Sequence, residues 1–379
     1  MLAFPVLPMA RTLRFVITAA LVNWSFAFSA QTTLKDAFQN AFLAGVAINR
    51  AQIYGEDSRG IKLIEAQFNS ITPENILKWA LVHPRPNVFD FAAADRYVDF
   101  GEKRHMVVIG HTLVWHEQTP NWVFEDDKGN PVSRDVLLQR MQDHIHTVVG
   151  RYKGRIHGWD VVNEALNEDG TMRQSPWMKV IGADYVEKAF QFAYEADPKA
   201  ELYYNDYALE NEAKRNGAVT LVKKLLKAGI PVTAVGLQGH DTLDWPTPQQ
   251  QDDTITTFEK LGVKVNITEL DITVLPRATE ESTADVTANV KNTPALNPYA
   301  AGLPDSVQQA LAKRYADLFA VFLRHRKAIP RVTFWGVTDA DSWRNNWPVR
   351  GRTDYPLLFD RNGVSKPAFT AVINTAKAN

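Results

Sequence analysis

Short, almost wholly apolar runs recur along the chain, separated by longer amphipathic stretches. Runs of strand length fall at residues 42–48, 68–70, 106–112, 156–163, 201–205, 234–238, 263–269 and 332–336. Between them, residues 136–152, 183–196, 210–228, 254–261 and 306–326 carry apolar side chains at helical spacing. In the last stretch Val307, Ala310, Leu311, Tyr315, Leu318, Phe319 and Phe322 form one stripe, which reads as core packing. Strands apolar on both faces belong in a parallel sheet covered by helices. Eight of them alternating with helices predict an α/β fold, a single (β/α)8 TIM barrel. An open doubly wound sheet is the alternative, but no Gly-x-Gly-x-x-Gly follows the first strand, so a dinucleotide fold has little support.

Residues 1–30 break the pattern. They hold Arg11 and Arg14, no acidic residue, an apolar stretch from Phe15 to Val22 running on towards Phe28, and small residues at Ala27, Ser29 and Ala30. That is the layout of a secretory signal peptide. A membrane anchor is the competing reading, although the apolar segment is short for a span of about 20 residues. The expectation is therefore a signal peptide over 1–30 and one barrel domain over 31–379, in a protein exported to the periplasm or medium and free of membrane after cleavage. No Ser/Gly/Pro-rich linker divides that domain.

Composition removes several function classes. Lys+Arg number 42 against 43 Asp+Glu, so nothing recommends a nucleic-acid partner. With no cysteine there are no thiolate metal sites, Fe–S clusters or cysteine nucleophiles. An exported chain without disulfides relies on its core, which one this long can supply.

Polar residues gather where the strand runs finish: Glu74, Asn75 and Lys78; His111 and Trp115; Asn163 and Glu164; Asn205 and Tyr207; Gln238 and His240; Glu269 and Asp271; Trp335 and Asp339. In a barrel these ends form the face that carries chemistry. Glu164 and Glu269 each end a buried strand, where a carboxylate costs desolvation energy and needs a partner or a task. Paired carboxylates across a groove are the usual means of cutting glycosidic bonds. A retaining enzyme keeps one protonated as acid/base and the other ionised as nucleophile. Glu164, beside Asn163 and near a second anion, suits the first role. Glu269 suits the second: Asp271 shares its strand face, and His240 ends a neighbouring strand, so an Asp–His–Glu chain would favour the ionised form. Singly, His240 reads as a core histidine and Asp271 as a helix cap. Metal binding is the rival use, but the one His-x-His, at 144 and 146, lies in a helical stretch where that spacing points the rings apart. No catalytic metal or other cofactor is expected.

These residues carry a family resemblance. Phe-Asn-Ser-Ile-Thr-Pro-Glu-Asn-Ile-Leu-Lys-Trp (68–79), His-Thr-Leu-Val-Trp-His (111–116), Trp-Asp-Val-Val-Asn-Glu (159–164), Tyr-Asn-Asp-Tyr (204–207), Gly-Leu-Gln-Gly-His (236–240), Ile-Thr-Glu-Leu-Asp-Ile (267–272) and Phe-Trp-Gly-Val-Thr-Asp (334–339) resemble glycoside hydrolase family 10. Its members are retaining endo-1,4-β-xylanases on a (β/α)8 barrel, and the likeness spans about residues 35–375. It implies Glu164 as acid/base and Glu269 as nucleophile. It also implies Glu74, Asn75, Lys78, His111, Trp115, Gln238, Trp335 and Trp343 at the two sugars on the non-reducing side, with Asn205 and Tyr207 on the leaving-group side. Asn163 would then bond the sugar 2-hydroxyl. Xylan and xylo-oligosaccharides are the implied partners, and a monomer suits an enzyme that must reach a polymer. Two alternatives stay open: a β-1,4-glucanase on a related barrel, and a non-catalytic sugar-binding barrel. One departure stands out. Residues 275–304 are long, rich in Ala, Thr, Asn and Pro, and poorly periodic; such barrel-face loops are often functional, and this one is expected to border the leaving-group side.

Overall fold

Strand forms where the apolar runs fall, and the strands close on one another. The computed structural model describes residues 1–3, 32–278 and 287–378. The signal-peptide expectation lies almost wholly outside them. Among the described residues the strands are β1 Leu43–Ile48, β2 Ser70–Pro73, β3 Val107–Val114, β4 Gly158–Asn163, β5 Glu201–Asp206, β6 Ala234–Leu237, β7 His240–Thr242, β8 Lys264–Thr273 and β9 Arg331–Phe334. Neighbours pair in parallel, and β1 joins both β2 and β9, which closes the barrel. β6 and β7 are two pieces of one stave: Leu237 lies opposite Ile267 and His240 opposite Asp271, both on β8. The break falls at Gln238-Gly239, where Gly239 takes φ 76°. Leu237 to His240 advances three residues while Ile267 to Asp271 on β8 advances four, so the extra residue is on β8 and the turn at Gly239 re-aims Gln238 and His240. Eight staves thus form a (β/α)8 barrel, as the apolar runs predict.

Several boundaries differ from that prediction. β2 starts at the end of the 68–70 run and extends through Thr72 and Pro73, both buried despite modest hydrophobicity. β8 continues four residues past Glu269. The helix expected at 254–261 spans Pro248–Glu259, because Thr247 and Gln250 form a reciprocal capping box with Pro248 at the first position. Helices Ser58–Gln67 and Ala92–Lys103 lie outside the stretches named above. In helix Asp305–Arg324 the expected stripe is buried from Leu311 onward, and Ala310 is exposed. Phe319 of that helix stacks on Phe334 of β9 with ring centroids 6.0 Å apart, so helix and barrel wall share one core.

The histidines at 144 and 146 do separate. His146 faces Glu195 at 3.3 Å. His144 stacks on Trp79 at 3.6 Å, with its Nδ1 3.3 Å from Nδ1 of His83. Burial pushes His83 down to about 4, against a small opposing pull from Asp143, and pushes His144 well below its ordinary value. Both are neutral in the fold, whereas an unfolded histidine titrates near 6.5. Their contribution is therefore complete above about pH 6.5 and is lost as pH falls towards 4. Denaturant midpoints should drop across that window. His144→Phe keeps the stack without a titrating ring and should flatten the drop; an unchanged slope would remove the pair as its cause.

Candidate active site

The strand C-termini surround a cleft of about 420 Å³. β4 ends at Asn163, and Glu164 turns out of it with φ 57°, a left-handed backbone that costs a non-glycine residue about 1–3 kcal/mol. The Glu164 amide donates to the Asn205 carbonyl at 2.9 Å, which holds the turn. Its carboxyl accepts from Trp115 Nε1 on Oε2 and from Gln238 Nε2 on Oε1, both at 2.9 Å. Burial pushes its pKa up and the Asp206 charge pushes it further, more than these two hydrogen bonds pull it down; Glu269 adds to the rise.

Glu269, on β8, has the opposite bias. Burial pushes it up as well, but the hydrogen bond from His240, the charges of His111 and His240, and the Asn205 amide bring it below the ordinary carboxylate value. Oε1 accepts from Asn205 Nδ2 at 2.8 Å, and His240 Nε2 lies 3.3 Å from Oε2. His240 Nδ1 sits 3.0 Å from Asp271 Oδ1. Burial disfavours the His240 cation, but the two carboxylates outweigh burial and raise it to about 9. Both ring nitrogens then carry protons at neutral pH, one donated to each carboxylate. Asp271 also accepts from Trp343 Nε1 and Arg344 Nε, each at 2.7 Å. The Asp–His–Glu chain read from the sequence exists as a geometry.

A relay of amides links the two glutamates. Asn163 Oδ1 accepts from Asn205 Nδ2 at 2.9 Å and from Gln238 Nε2 at 3.4 Å. Asn205 continues to Glu269 and Gln238 to Glu164. Both Asn163 contacts use its oxygen, so its amide nitrogen remains for the cleft.

The cleft wall also carries Glu74, Asn75, Lys78, His111, Trp115, Tyr207, Trp335 and Trp343. Lys78 Nζ donates to Asn75 Oδ1 at 2.9 Å and lies 4.9 Å from the centre of a Trp115 ring. Burial lowers the Lys78 pKa against the pull of Glu269, Glu74 and Glu164. His111 Nδ1 lies 2.9 Å from Asp160 Oδ2, a supporting carboxylate that the sequence pattern does not reveal. Trp335 stands edge-on to His111 at 5.3 Å, and Trp343 stacks on Trp347 at 4.8 Å.

One expectation needs correction. Asn205 is not on the cleft wall: it is fully buried, and its Oδ1 accepts from Thr268 Oγ1 at 2.7 Å. With Nδ2 shared between Asn163 and Glu269, its amide is committed to protein groups. The 275–304 loop meets both the cleft and the segment that follows Trp343. Pro276, Arg277 and Ala278 reach the cleft, and residues 279–286 lie outside the described ones. Beyond them the Val290 amide donates to Pro348 O at 2.7 Å, Asn297 Oδ1 accepts from the Thr353 amide at 2.9 Å, and Tyr355 Oη donates to Tyr299 O at 2.9 Å. The loop is thus pinned to the segment following Trp343.

Sequence reasoning missed Asp206, Arg173, Lys214, Arg344, Trp245 and Trp347. Asp206 sits inside the quoted Tyr-Asn-Asp-Tyr and Arg344 beside Trp343, so adjacency alone could have flagged these two. Among the described residues no group of three or more His, Cys, Asp or Glu is arranged to hold a metal ion.

The sequence profile of glycosyl hydrolase family 10 matches residues 33–375. Endo-1,4-beta-xylanase A of Xylanibacter ruminicola is 45% identical over 343 residues, covering 90% of this chain and 93% of that protein. The solved structure of an endoxylanase from a sugarcane soil metagenome superposes with a TM-score of 0.87 at 45% identity, covering 90% of this chain and 99% of that one. A mutant solved in complex with xylotriose gives a TM-score of 0.80 at 34% identity, with coverage of 90% and 99%. With a closed barrel, two glutamates at its mouth and a profile match over nearly its whole length, the chain belongs to glycosyl hydrolase family 10.

Proposed function

We infer that this family 10 glycoside hydrolase is a retaining endo-1,4-β-xylanase, with Glu269 as nucleophile and Glu164 as acid/base. The observation that carries the assignment is two buried glutamates at the barrel mouth with different partners, Glu269 held by His240 and the Asn205 amide and Glu164 held by Trp115 and Gln238, with burial and the Asp206 charge biasing Glu164 towards its neutral form. Glu269 attacks the anomeric carbon while Glu164 protonates the departing oxygen, leaving a glycosyl ester on Glu269. Glu164, now ionised, takes a proton from water, which displaces Glu269 and restores the original configuration. Asn163 offers its amide to the 2-hydroxyl, and Glu74, Asn75 and Lys78 bind sugar on the non-reducing side.

The relatives' names point to xylan, and the cleft agrees. Trp335 and Trp343 line it, and their bulk disfavours the hydroxymethyl group that a hexose carries and a pentose lacks. We expect kcat/KM on soluble xylan to exceed that on a soluble β-1,4-glucan by about tenfold or more, and proton NMR to find the β-anomer released first. A preference for glucan would overturn the substrate, and an α-anomer the mechanism.

Export belongs to the same proposal. The Arg11/Arg14 and 15–22 pattern directs the chain out of the cell, and the mature form works as a monomer. No helix among the described residues is long and apolar enough to cross a membrane. N-terminal sequencing of enzyme recovered outside the cytoplasm should start near residue 31; an intact Met1 would refute removal.

A further inference from the structure

Behind Glu164 lies a buried charge cluster that the reaction as written does not use. Lys214, in the first turn of helix Glu212–Lys227, is fully buried. Its Nζ lies 3.1 Å from Asp206 Oδ1, 3.3 Å from Glu168 Oε1 and 3.2 Å from the centre of the Tyr207 ring. An ammonium is expensive to bury unless paired, and here two carboxylates and a π face offset that cost. Asp206 is itself fully buried, accepting from Tyr204 Oη at 2.5 Å and from the Tyr207 amide at 2.9 Å.

The cluster connects three elements that converge on the acid/base. Glu168 and Arg173 come from the loop that follows Glu164. Arg173 Nε donates to the Glu164 carbonyl and Nη2 to the Tyr207 hydroxyl, both at 3.1 Å. Gly170 of the same loop packs against Gly217 of the Lys214 helix, so closely that a Cβ on Gly217 would come within 2.3 Å of the Gly170 carbonyl. Asp206 accepts the Gln238 amide on its own carbonyl at 3.1 Å, and Gln238 holds Glu164. Tyr207 is therefore fixed at its hydroxyl by Arg173 and on one face by Lys214, while it lines the cleft.

We propose that Lys214 and Asp206 are positioning residues for the leaving-group half of the reaction: Lys214 fixes the Tyr207 plate from behind, and Asp206 anchors Lys214 and, through Gln238, the Glu164 carboxyl. This rests on the reading of Glu164 as acid/base and of Tyr207 as the leaving-group wall. The other groups facing the pair are the Arg173, Glu168 and His116 side chains and the hydroxyls of Tyr185, Tyr204 and Tyr207, with Glu269 across the cleft. Of all these charges, Asp206 contributes the largest upward push on Glu164. Without it, Glu164 gives up its proton at lower pH.

The test compares xylotetraose with an aryl β-xylobioside, whose phenolate departs with little need for protonation and carries no sugar on the leaving side. Lys214→Met should lose about tenfold in kcat/KM on xylotetraose and under about threefold on the aryl substrate. Asp206→Asn should move the alkaline limb of kcat/KM for xylotetraose down by about one pH unit. The double variant leaves no unpaired buried cation, so it serves both measurements if either single variant folds poorly. Equal losses on the two substrates, or an alkaline limb that stays in place, would overturn the proposal. Glu164→Ala run alongside separates the two failures: if it lacks the leaving-group-dependent loss, the acid/base assignment fails. If it shows that loss and the Lys214 and Asp206 variants do not, only the positioning roles fall.

Discussion

Glu269→Ala should lose at least about 10⁴-fold in kcat on xylan, because no other group can form the covalent intermediate. Asp271, joined to Glu269 through His240, is fully buried and committed to His240, Trp343 and Arg344. Glu164 is held against Trp115 and Gln238. Sugar binding should survive, because Glu74, Asn75, Trp335 and Trp343 stay on the wall and Lys78, although it loses the Glu269 charge, keeps its bond to Asn75 and the charges of Glu74 and Glu164. Calorimetry with xylotriose should therefore give a Kd within about threefold of the parent enzyme. The deletion also removes one of the two carboxylates that hold His240 near 9, so its imidazole should titrate lower by NMR. Residual turnover of a few per cent would remove Glu269 as nucleophile; a large loss of xylotriose affinity would make it a binding residue instead.

Most of the site was legible because the strands are apolar up to their last residues and then turn polar. A buried run ending in Asn163-Glu164 or in Glu269 leaves the carboxyl at the rim, with few places to go but the cleft. Asn205 shows where that logic fails. It lies opposite Asn163 in the β4–β5 register, yet its amide is turned onto Asn163, Glu269 and Thr268, so it meets other side chains rather than substrate. Register between strands is a property of the closed sheet, not of either run. Lys214 and Arg173 were invisible for a related reason: they enter from a helix and a loop whose local patterns read as ordinary solvated surface. The break between β6 and β7 was hidden because Gly239 reads as part of a motif, and only its backbone angle marks the turn. Asp160 behind His111 is the same case on β4, where the pairing of His111 with Asp160 brings the two side chains together.

Glu164→Ala should cost about 10²–10⁴-fold on xylan, the range of general acid–base catalysis, and change the shape of the pH profile. In the free parent enzyme the productive state needs Glu269 ionised and Glu164 protonated. Glu269 titrates below the ordinary carboxylate value and Glu164 above it, so kcat/KM should rise on the acid side as Glu269 loses its proton. It should fall on the alkaline side as Glu164 loses its own. Removing Glu164 deletes the alkaline limb and leaves the acid one. With an aryl xylobioside bearing a good leaving group the first step barely needs the acid, while the second still needs a base to activate water. The variant should therefore release a burst of phenolate and then stall, with the glycosyl ester on Glu269 detectable as a mass increase on the intact protein. A parent-like alkaline limb in the variant, or equal losses on xylan and on the aryl substrate, would show that another group supplies the proton.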